Sequence, residues 1–571
     1  MKLKPIAGFI LTLSLTACGS SDKDDSSQVD YSNQTIELAQ TGRYQSGIFD
    51  ESAAEIVAYD PITKQTFVVY SKSGKVDVLN SNDITTPTLS FSIDVAANIG
   101  NEAGLANSVA VYNGLLAVAM DNSTKTDNGW IVFYKTSDLS FVKKVEVGAI
   151  PDMVIFSPDG KKVVAAIEAE PNEGYTVDPN GMVSVIDITW DGSELTTALT
   201  NIDFVDFNVG ASRHSELPTD LILAGIGSNG KATVAADIEP EYVAINKNST
   251  KAFVALQENN GIAVINLTTK TVEKIYALGF KDHSIAKNAL DVNDKDGVKI
   301  TNYPVKGMYM PDSIALFETN NKTYLLTANE GDDRDDWLED FDNKTTCEAA
   351  GYSFYKNKEC KDAVKIGKLD NTDMTIKLDS VLESQKNDLE RLKFSYLVTK
   401  KMNGGNSTDI ESIYAYGARS FSIWDMANGS LVWDSGKFFE EKTAELYGTE
   451  FNNDNDENKS QGRSDNKGPE PEAITIGTIN KKTYAFIGLE RMGGVMVYEI
   501  TDPTAPVFVQ YLNNRDLNIE PGDGVDAGDL GPEGFKFVSA SKSPNGKPIL
   551  IVGNEVSGTT TFYTINVSLN N

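Results

Sequence analysis

Short runs of apolar β-formers, each broken by a small cluster of Asn, Gly, Asp, Ser or Lys, recur along most of the chain. The segments "IPDMVIFSPDGKKVVAAIEAE" (150–170), "EPEYVAINKNSTKAFVALQEN" (239–259), "MPDSIALFETNNKTYLLTANEG" (310–331), "EPEAITIGTINKKTYAFIGLER" (470–491) and "GPEGFKFVSASKSPNGKPILIVGNEV" (531–556) each predict strand, tight turn, strand, because apolar runs flank turn-forming residues. Two weaker copies, "EIVAYDPITKQTFVVYS" (55–71) and "NSVAVYNGLLAVAMD" (107–121), bring the number to seven. A third strand follows every hairpin, as in "WIVFY", "IAVINL" and "VMVYEI", and a fourth follows six of them. The last copy stops at its third strand, "TTFYTI", while "TIELAQTGRY" (35–44) has no hairpin partner of its own. The pattern predicts an all-β fold, a seven-bladed β-propeller of four-stranded blades spanning residues 34–571. The N-terminal strand closes the ring and leaves no exposed sheet edge.

In such a meander the start of the first strand and the end of the second lie at the same end of the blade. The turns joining these two strands are short, whereas the long insertions (190–237, 279–306, 331–410, 437–468 and 513–530) fall where strand parity sends them to one face. One side of the disk is therefore plain and the other crowded, and ligands are expected on the crowded side.

A carboxylate opens the first strand and another closes the second in each strong copy: Asp152 with Glu168, Glu241 with Glu258, Asp312 with Glu330, Glu472 with Glu490, and Glu533 with Glu555. If the first strands line a central channel, up to ten carboxylates meet at its mouth. Like charges so close raise one another's pKa, so something positive is expected among them. The candidates are hard cations held by oxygen ligands, or Arg419, Arg463 and Arg491 as ligand-binding or charge-pairing groups. The loop "NEGDDRDDWLEDFDN" (329–343) adds Asp332, Asp333 and Asp335 to the candidate metal ligands, and acidic, glycine-bearing loops at 453–472 and 522–533 enter the same face. Calcium is the expected ion, another divalent metal the alternative. "DVNDKDGVKI" (291–300) is not an EF-hand, since Val292 occupies the first-ligand position.

Composition narrows the choices. With 82 acidic and 51 basic residues the net charge is -31, a field that repels nucleic acid and gathers cations. His214 and His283 are the two histidines, too few for the usual imidazole zinc site, and no nucleophile elbow marks a serine. The start "MKLKPIAGFILTLSLTACGS" has two lysines, an apolar stretch and small residues before Cys18, the form of an export signal. "LTAC" (15–18) resembles a bacterial lipoprotein cleavage box. Residues 1–18 are thus expected to be removed up to a lipidated Cys18, with 19–33 as a flexible tether. An exported outer-membrane lipoprotein follows, periplasmic or at the cell surface, joined to the membrane by its lipid and expected to be a monomer. Cys347 and Cys360 are expected to form a disulfide in that oxidising setting.

"ANEGDDRD" (328–335), "YGARSFSIWD" (416–425), "RSDNKGPEPEAI" (463–474), "GLERMGGVMVYEITDP" (488–503) and "GPEGFKFV" (531–538) together resemble the choice-of-anchor I family of bacterial surface proteins. That family is similar to mesenchyme-specific cell-surface glycoproteins of biomineralising animals, and some bacterial members carry the name alkaline phosphatase. Where the family pattern runs "RSDDKG", this chain has Asn466 after Asp465, which weakens any metal site built on both acids. Two functions follow as expectations. One is a surface scaffold whose acidic face holds calcium and presents loops to an envelope or surface ligand. The other is a metal-dependent phosphoesterase on the same face, with Arg463 as its catalytic, phosphate-orienting group.

Overall fold

The computed structural model describes residues 31–225, 232–338, 343–355, 359–371, 376–405 and 408–569. Cys18, the export signal and nearly all of the 19–33 tether lie outside the described residues. Among the described residues seven four-stranded antiparallel sheets carry the fold, so the chain is all-β and propeller-like. Their first strands are Val57–Asp60, Ala103–Tyr112, Pro151–Phe156, Val243–Ile245, Ile314–Thr319, Pro471–Ile479 and Pro532–Val538. In the first six sheets the strands follow one another in chain order. The seventh takes its outer strand, Gln34–Gln45, from the N-terminal end of the chain, antiparallel to Thr559–Leu569.

Each first strand touches the first strand of the next sheet, and that of the seventh touches that of the first. Between every such pair of sheets lies a separate buried apolar cluster. Phe67, Val76 and Val118 pack at the first junction, Phe133 and Ile186 at the second, Val164 and Val254 at the third, and Phe253 and Trp424 at the fourth. Phe421 and Ile487 fill the fifth, Phe486 and Leu550 the sixth, and Val68 with Phe562 the seventh, which joins last to first. Middle strands such as "KVVAAI" and "KTYAFIGL" bury both faces, and each fully buried aliphatic or aromatic side chain contributes about 1.5–3 kcal/mol.

The insertions differ in detail from the sequence reading. Leu195–Asp203 is the outer strand of the third sheet, so the first insertion begins after it rather than at 190. Its sequence, LTTALTNID, buries only Leu195 and Ile202, and an outer edge strand needs no apolar alternation to hold it. Segments 279–306 and 331–410 merge into one body. Val305–Met308 pairs with Phe280–Asp282 and, in parallel, with Ile413–Ala415, over a core that includes Leu290, Tyr303, Leu382 and Phe394. Cys347 and Cys360 are bonded, with Cα atoms 5.6 Å apart. Among the described residues no helix is long and apolar enough to cross a membrane.

Candidate functional site

The proline-and-acid corner has a structural reason. In the third, sixth and seventh sheets Pro151, Pro471 and Pro532 still pair with the second strand, but the register slips across the next residues, Asp152, Glu472 and Glu533. In the first and fourth sheets two residues oppose one. Glu55 N–H donates to Val69 O while Val69 N–H donates to Ile56 O, and Glu241 N–H donates to Ala255 O while Ala255 N–H donates to Tyr242 O. These are β-bulges, which bend a strand and re-aim a side chain. Proline suits the corner because the residue before it supplies the turn: Ile150, Met310, Glu470 and Gly531 all have positive φ. Each carboxylate is thereby swung from the sheet toward the axis.

Among the described residues, the result is a cavity of about 400 Å³ lined by fourteen carboxylates and two cationic side chains, Lys467 and Arg491. Nine of the ten paired acids read from the sequence are in its wall. Glu555, the tenth, lies outside the wall and engages Glu533. Asp332 and Asp333 line it as well. Asp335 does not: its Oδ1 accepts the backbone N–H groups of Asp362 and Ala363 at 2.7 and 3.1 Å and fixes the insertion. Below the acidic mouth the same seven first strands surround a second space of about 460 Å³, whose lining mixes apolar side chains such as Val109 and Ile314 with polar surface.

Three side chains in the wall extend the repeat beyond the sequence reading. Glu55 opens the first strand of the first sheet, and Asn107 holds that position in the second, where its Nδ2 donates to Asp121 Oδ1 at 2.7 Å. Glu170, two residues past Glu168, adds a further acid. Glu55 and Asp121 stand at the ends of the two weaker copies, where the flanking prolines are missing, and aligning the termini of those copies would have found them.

Two of the three arginines point elsewhere. Arg419 is 3% exposed and spends its guanidinium on Glu440 Oε1 (2.8 Å) and on the carbonyls of Asp291, Ser464 and Asn466, so it is a brace between insertions. Arg463 is bound to Glu470 Oε1 at 2.7 Å and is absent from the cavity wall. Arg491 does reach the wall, with Nε 3.1 Å from Glu470 Oε2 and Nη2 3.0 Å from Glu490 Oε1. The resident cation that the sequence reading overlooked is Lys467, whose Nζ sits 2.5 Å from Glu330 Oε1 and 3.3 Å from Glu470 Oε2. Asp465 pairs with Lys365 and Arg391, so the "RSDNKG" loop braces the insertion and Asn466 costs the cavity nothing. Asp529 in the 522–533 loop is likewise committed, to Arg43, Thr559 and Thr561.

Burial and mutual repulsion set the charge state of the wall. Asp152 is pushed up to about 7 by burial and then by the charges of Asp121 and Glu170. Burial followed by Glu258 and Glu168 raises Glu241, burial followed by Glu490 raises Glu472, and burial followed by Glu55 raises Glu533. Glu470 goes the other way. Burial would raise it too, but Lys467, Arg463 and Arg491 together hold it far below the usual carboxylate range. Six wall oxygens, the Oε2 atoms of Glu55, Glu241, Glu258, Glu472, Glu490 and Glu533, are buried with no hydrogen-bond partner among the described residues. Three carboxylate groups place one oxygen from each member within 4.8 Å of the others: Glu168–Glu241–Glu258, Asp312–Glu330–Glu472 and Glu330–Glu470–Glu490. The histidines take no part: His283 Nδ1 is 2.6 Å from Asn288 O, and His214 Nδ1 is 2.9 Å from Phe207 O.

Gigasin-3a of Magallana gigas is 27% identical over 163 residues, which is 27% of this chain and 57% of that protein. Mesenchyme-specific cell surface glycoprotein of Strongylocentrotus purpuratus is 24% identical over 339 residues, 55% of this chain and 42% of that one. The chain thus spans about half the length of the curated relatives it matches. Among solved structures, Kuenenia stuttgartiensis hydrazine synthase aligns with a TM-score of 0.42 at 12% identity, covering 92% of this chain and 99% of that one. The β-propeller domain of Cps50 (Swd1) from Myceliophteria thermophila aligns at 0.40 and 7%, covering 93% and 100%. The match that decides the relationship is to the choice-of-anchor I domain, over residues 55–503, a stretch that begins at the wall residue Glu55 and contains every wall acid but Glu533. The chain belongs to the choice-of-anchor I family.

Proposed function

We propose that the protein is an exported surface module, a seven-bladed β-propeller closed by its N-terminal strand, that binds divalent cations, calcium foremost, in the acidic mouth of its axis and presents the insertions around that mouth to a surface ligand. The observation that carries the reading is the imbalance of the wall: among the described residues, fourteen carboxylates stand against two cations, and six buried carboxylate oxygens have no partner. An uncompensated buried charge is expensive, and hard oxygen ligands in that number suit calcium. Ring closure is supported by the seventh apolar junction and by the pairing of Gln34–Gln45 with Thr559–Leu569. A lipid on Cys18 would tether the module to the outer membrane, in keeping with the family's surface role.

The phosphoesterase reading is the weaker of the two. It needs an arginine free to grip phosphate, and Arg463 is committed to Glu470, with Arg491 shared among Glu470, Glu490 and Asn455. Calorimetric titration of the full chain with CaCl₂, followed by a p-nitrophenyl phosphate assay with and without the ion, tests both. Saturable uptake without turnover is expected. No uptake of calcium, magnesium or manganese would end the cation reading, and metal-dependent turnover lost in Arg463→Ala would replace it with the enzyme.

A further inference from the structure

The wall is not uniformly short of positive charge. On the side of the fifth and sixth sheets Lys467 and Arg491 already sit among Glu330, Glu470 and Glu490. On the side of the third and fourth sheets two protein cations are committed to other carboxylates. Arg334 pairs with Asp237 and Glu239, each at 2.6 Å, and Lys125 lies 3.5 Å from Glu170. Neither forms a salt bridge with Glu168, Glu241 or Glu258, whose ligand oxygens lie within 4.8 Å of one another. Glu241 is 8% exposed, lines the cavity, and its Oε2, like that of Glu258, is buried with no partner among the described residues.

We propose that Glu168, Glu241 and Glu258 form the calcium seat of this cavity, and that Lys467 occupies the opposite carboxylate group as a built-in cation. The proposal rests on the cation-binding reading and goes beyond it by placing the ion. Two oxygens bound to one ion can be no farther apart than twice the metal–oxygen bond, which is about 4.8 Å for calcium and about 4.2 Å for magnesium. The oxygens of this group stay within the calcium limit, and magnesium, with its shorter bonds, demands a tighter set. The remaining coordination positions face cavity water.

The test uses the full chain. Calcium titration of the wild type is compared with Glu241→Gln, Glu258→Gln and, as a control on the far wall, Glu472→Gln, each checked for folding by circular dichroism. Terbium emission provides a second readout, since Tyr242 and Trp337 line the same cavity and can sensitise a nearby lanthanide. We expect Glu241→Gln and Glu258→Gln to weaken calcium roughly tenfold or more and to abolish calcium-displaceable terbium emission, with Glu472→Gln close to wild type. Calcium binding that survives both substitutions overturns the placement and leaves the cation reading intact. No calcium binding, and no displaceable terbium emission from the wild type, overturns both.

Discussion

The sequence writes Glu-Pro-Glu twice, at 239–241 and at 470–472, at the same corner of the fourth and sixth sheets. Glu239 and Glu470 are equally hidden, at 3% and 0% exposure, yet they titrate in opposite directions. Glu239 has one cation, Arg334, which it shares with Asp237, and burial pushes it well up. Glu470 has Lys467, Arg463 and Arg491 around it and is held down. The repeat fixes where carboxylates stand, while the insertions supply most of the cations that neutralise them, with Arg491 at the end of a repeat hairpin as the exception. The acids belong to the sheets and most of their partners to the loops, so the two halves of the cavity could diverge in charge without any change in fold.

The largest effect that tests this contrast comes from removing the loop's cation. Lys467→Met leaves Glu330 and Glu470 sharing a buried corner with one fewer positive charge, and breaking a buried pair from one side costs about 3–5 kcal/mol. Urea denaturation should show that loss, with calcium restoring part of it. A change under about 1 kcal/mol would mean that Lys467 is no more than a surface ion pair.

Next in size is the pH dependence of the calcium-free protein. Asp121 and Asp152, each raised from 3.8 to about 7 chiefly by burial, hold protons more tightly folded than unfolded. Their contribution to stability is complete below the ordinary carboxylate pKa and is lost as pH rises toward 7. Glu470, with a depressed pKa, contributes above the ordinary value and loses its effect only in stronger acid, so it is silent over this window. Unfolding free energy without calcium should fall by a few kcal/mol between pH 5 and 8, and saturating calcium should flatten the slope. A calcium-free profile that rises across the same window would contradict the uncompensated half of the wall.

Glu241→Gln carries the opposite sign from Lys467→Met. Replacing a buried carboxylate that stands beside Glu168 and Glu258 by a neutral isostere should stabilise the calcium-free protein by about 0.5–2 kcal/mol while weakening calcium binding. Destabilisation instead would show that this carboxylate is satisfied in the empty protein.

The sheets and the acid ring were legible because they repeat. A proline, a carboxylate and an apolar run recur at a spacing that a hairpin enforces, so one copy explains the others. Glu55 and Asp121 escaped because their copies lack the proline corner, and Leu195–Asp203 escaped because an outer strand that buries only Leu195 and Ile202 shows no apolar face. The cations were harder for a deeper reason. Lys467 lies 137 residues from Glu330 in the chain and Arg334 lies 97 from Asp237. Both sit in insertions that do not repeat, so no internal alignment reveals their partners. Arg419 looked equally suitable on paper, and only the packing of Glu440 and three carbonyls beside it assigns it to bracing.

The smallest expected effect concerns how firmly the insertion holds its share of the wall. Leu338 and Trp337 pack with Cys347, Cys360, Tyr352 and Phe354 in a cluster of their own, separate from the seven junctions between sheets. Removing the disulfide by Cys347→Ser with Cys360→Ser therefore loosens this cluster locally and leaves the sheets intact. Amide exchange should quicken over 343–355 and around 335–338, with protection of the middle strands unchanged. Because Asp332, Asp333 and Trp337 line the cavity but lie outside the Glu168–Glu241–Glu258 group, calcium affinity should fall by less than about tenfold, or about 1.4 kcal/mol. A larger loss would move the ion toward the insertion, and faster exchange in the middle strands would mean that the insertion and the sheets unfold as one unit.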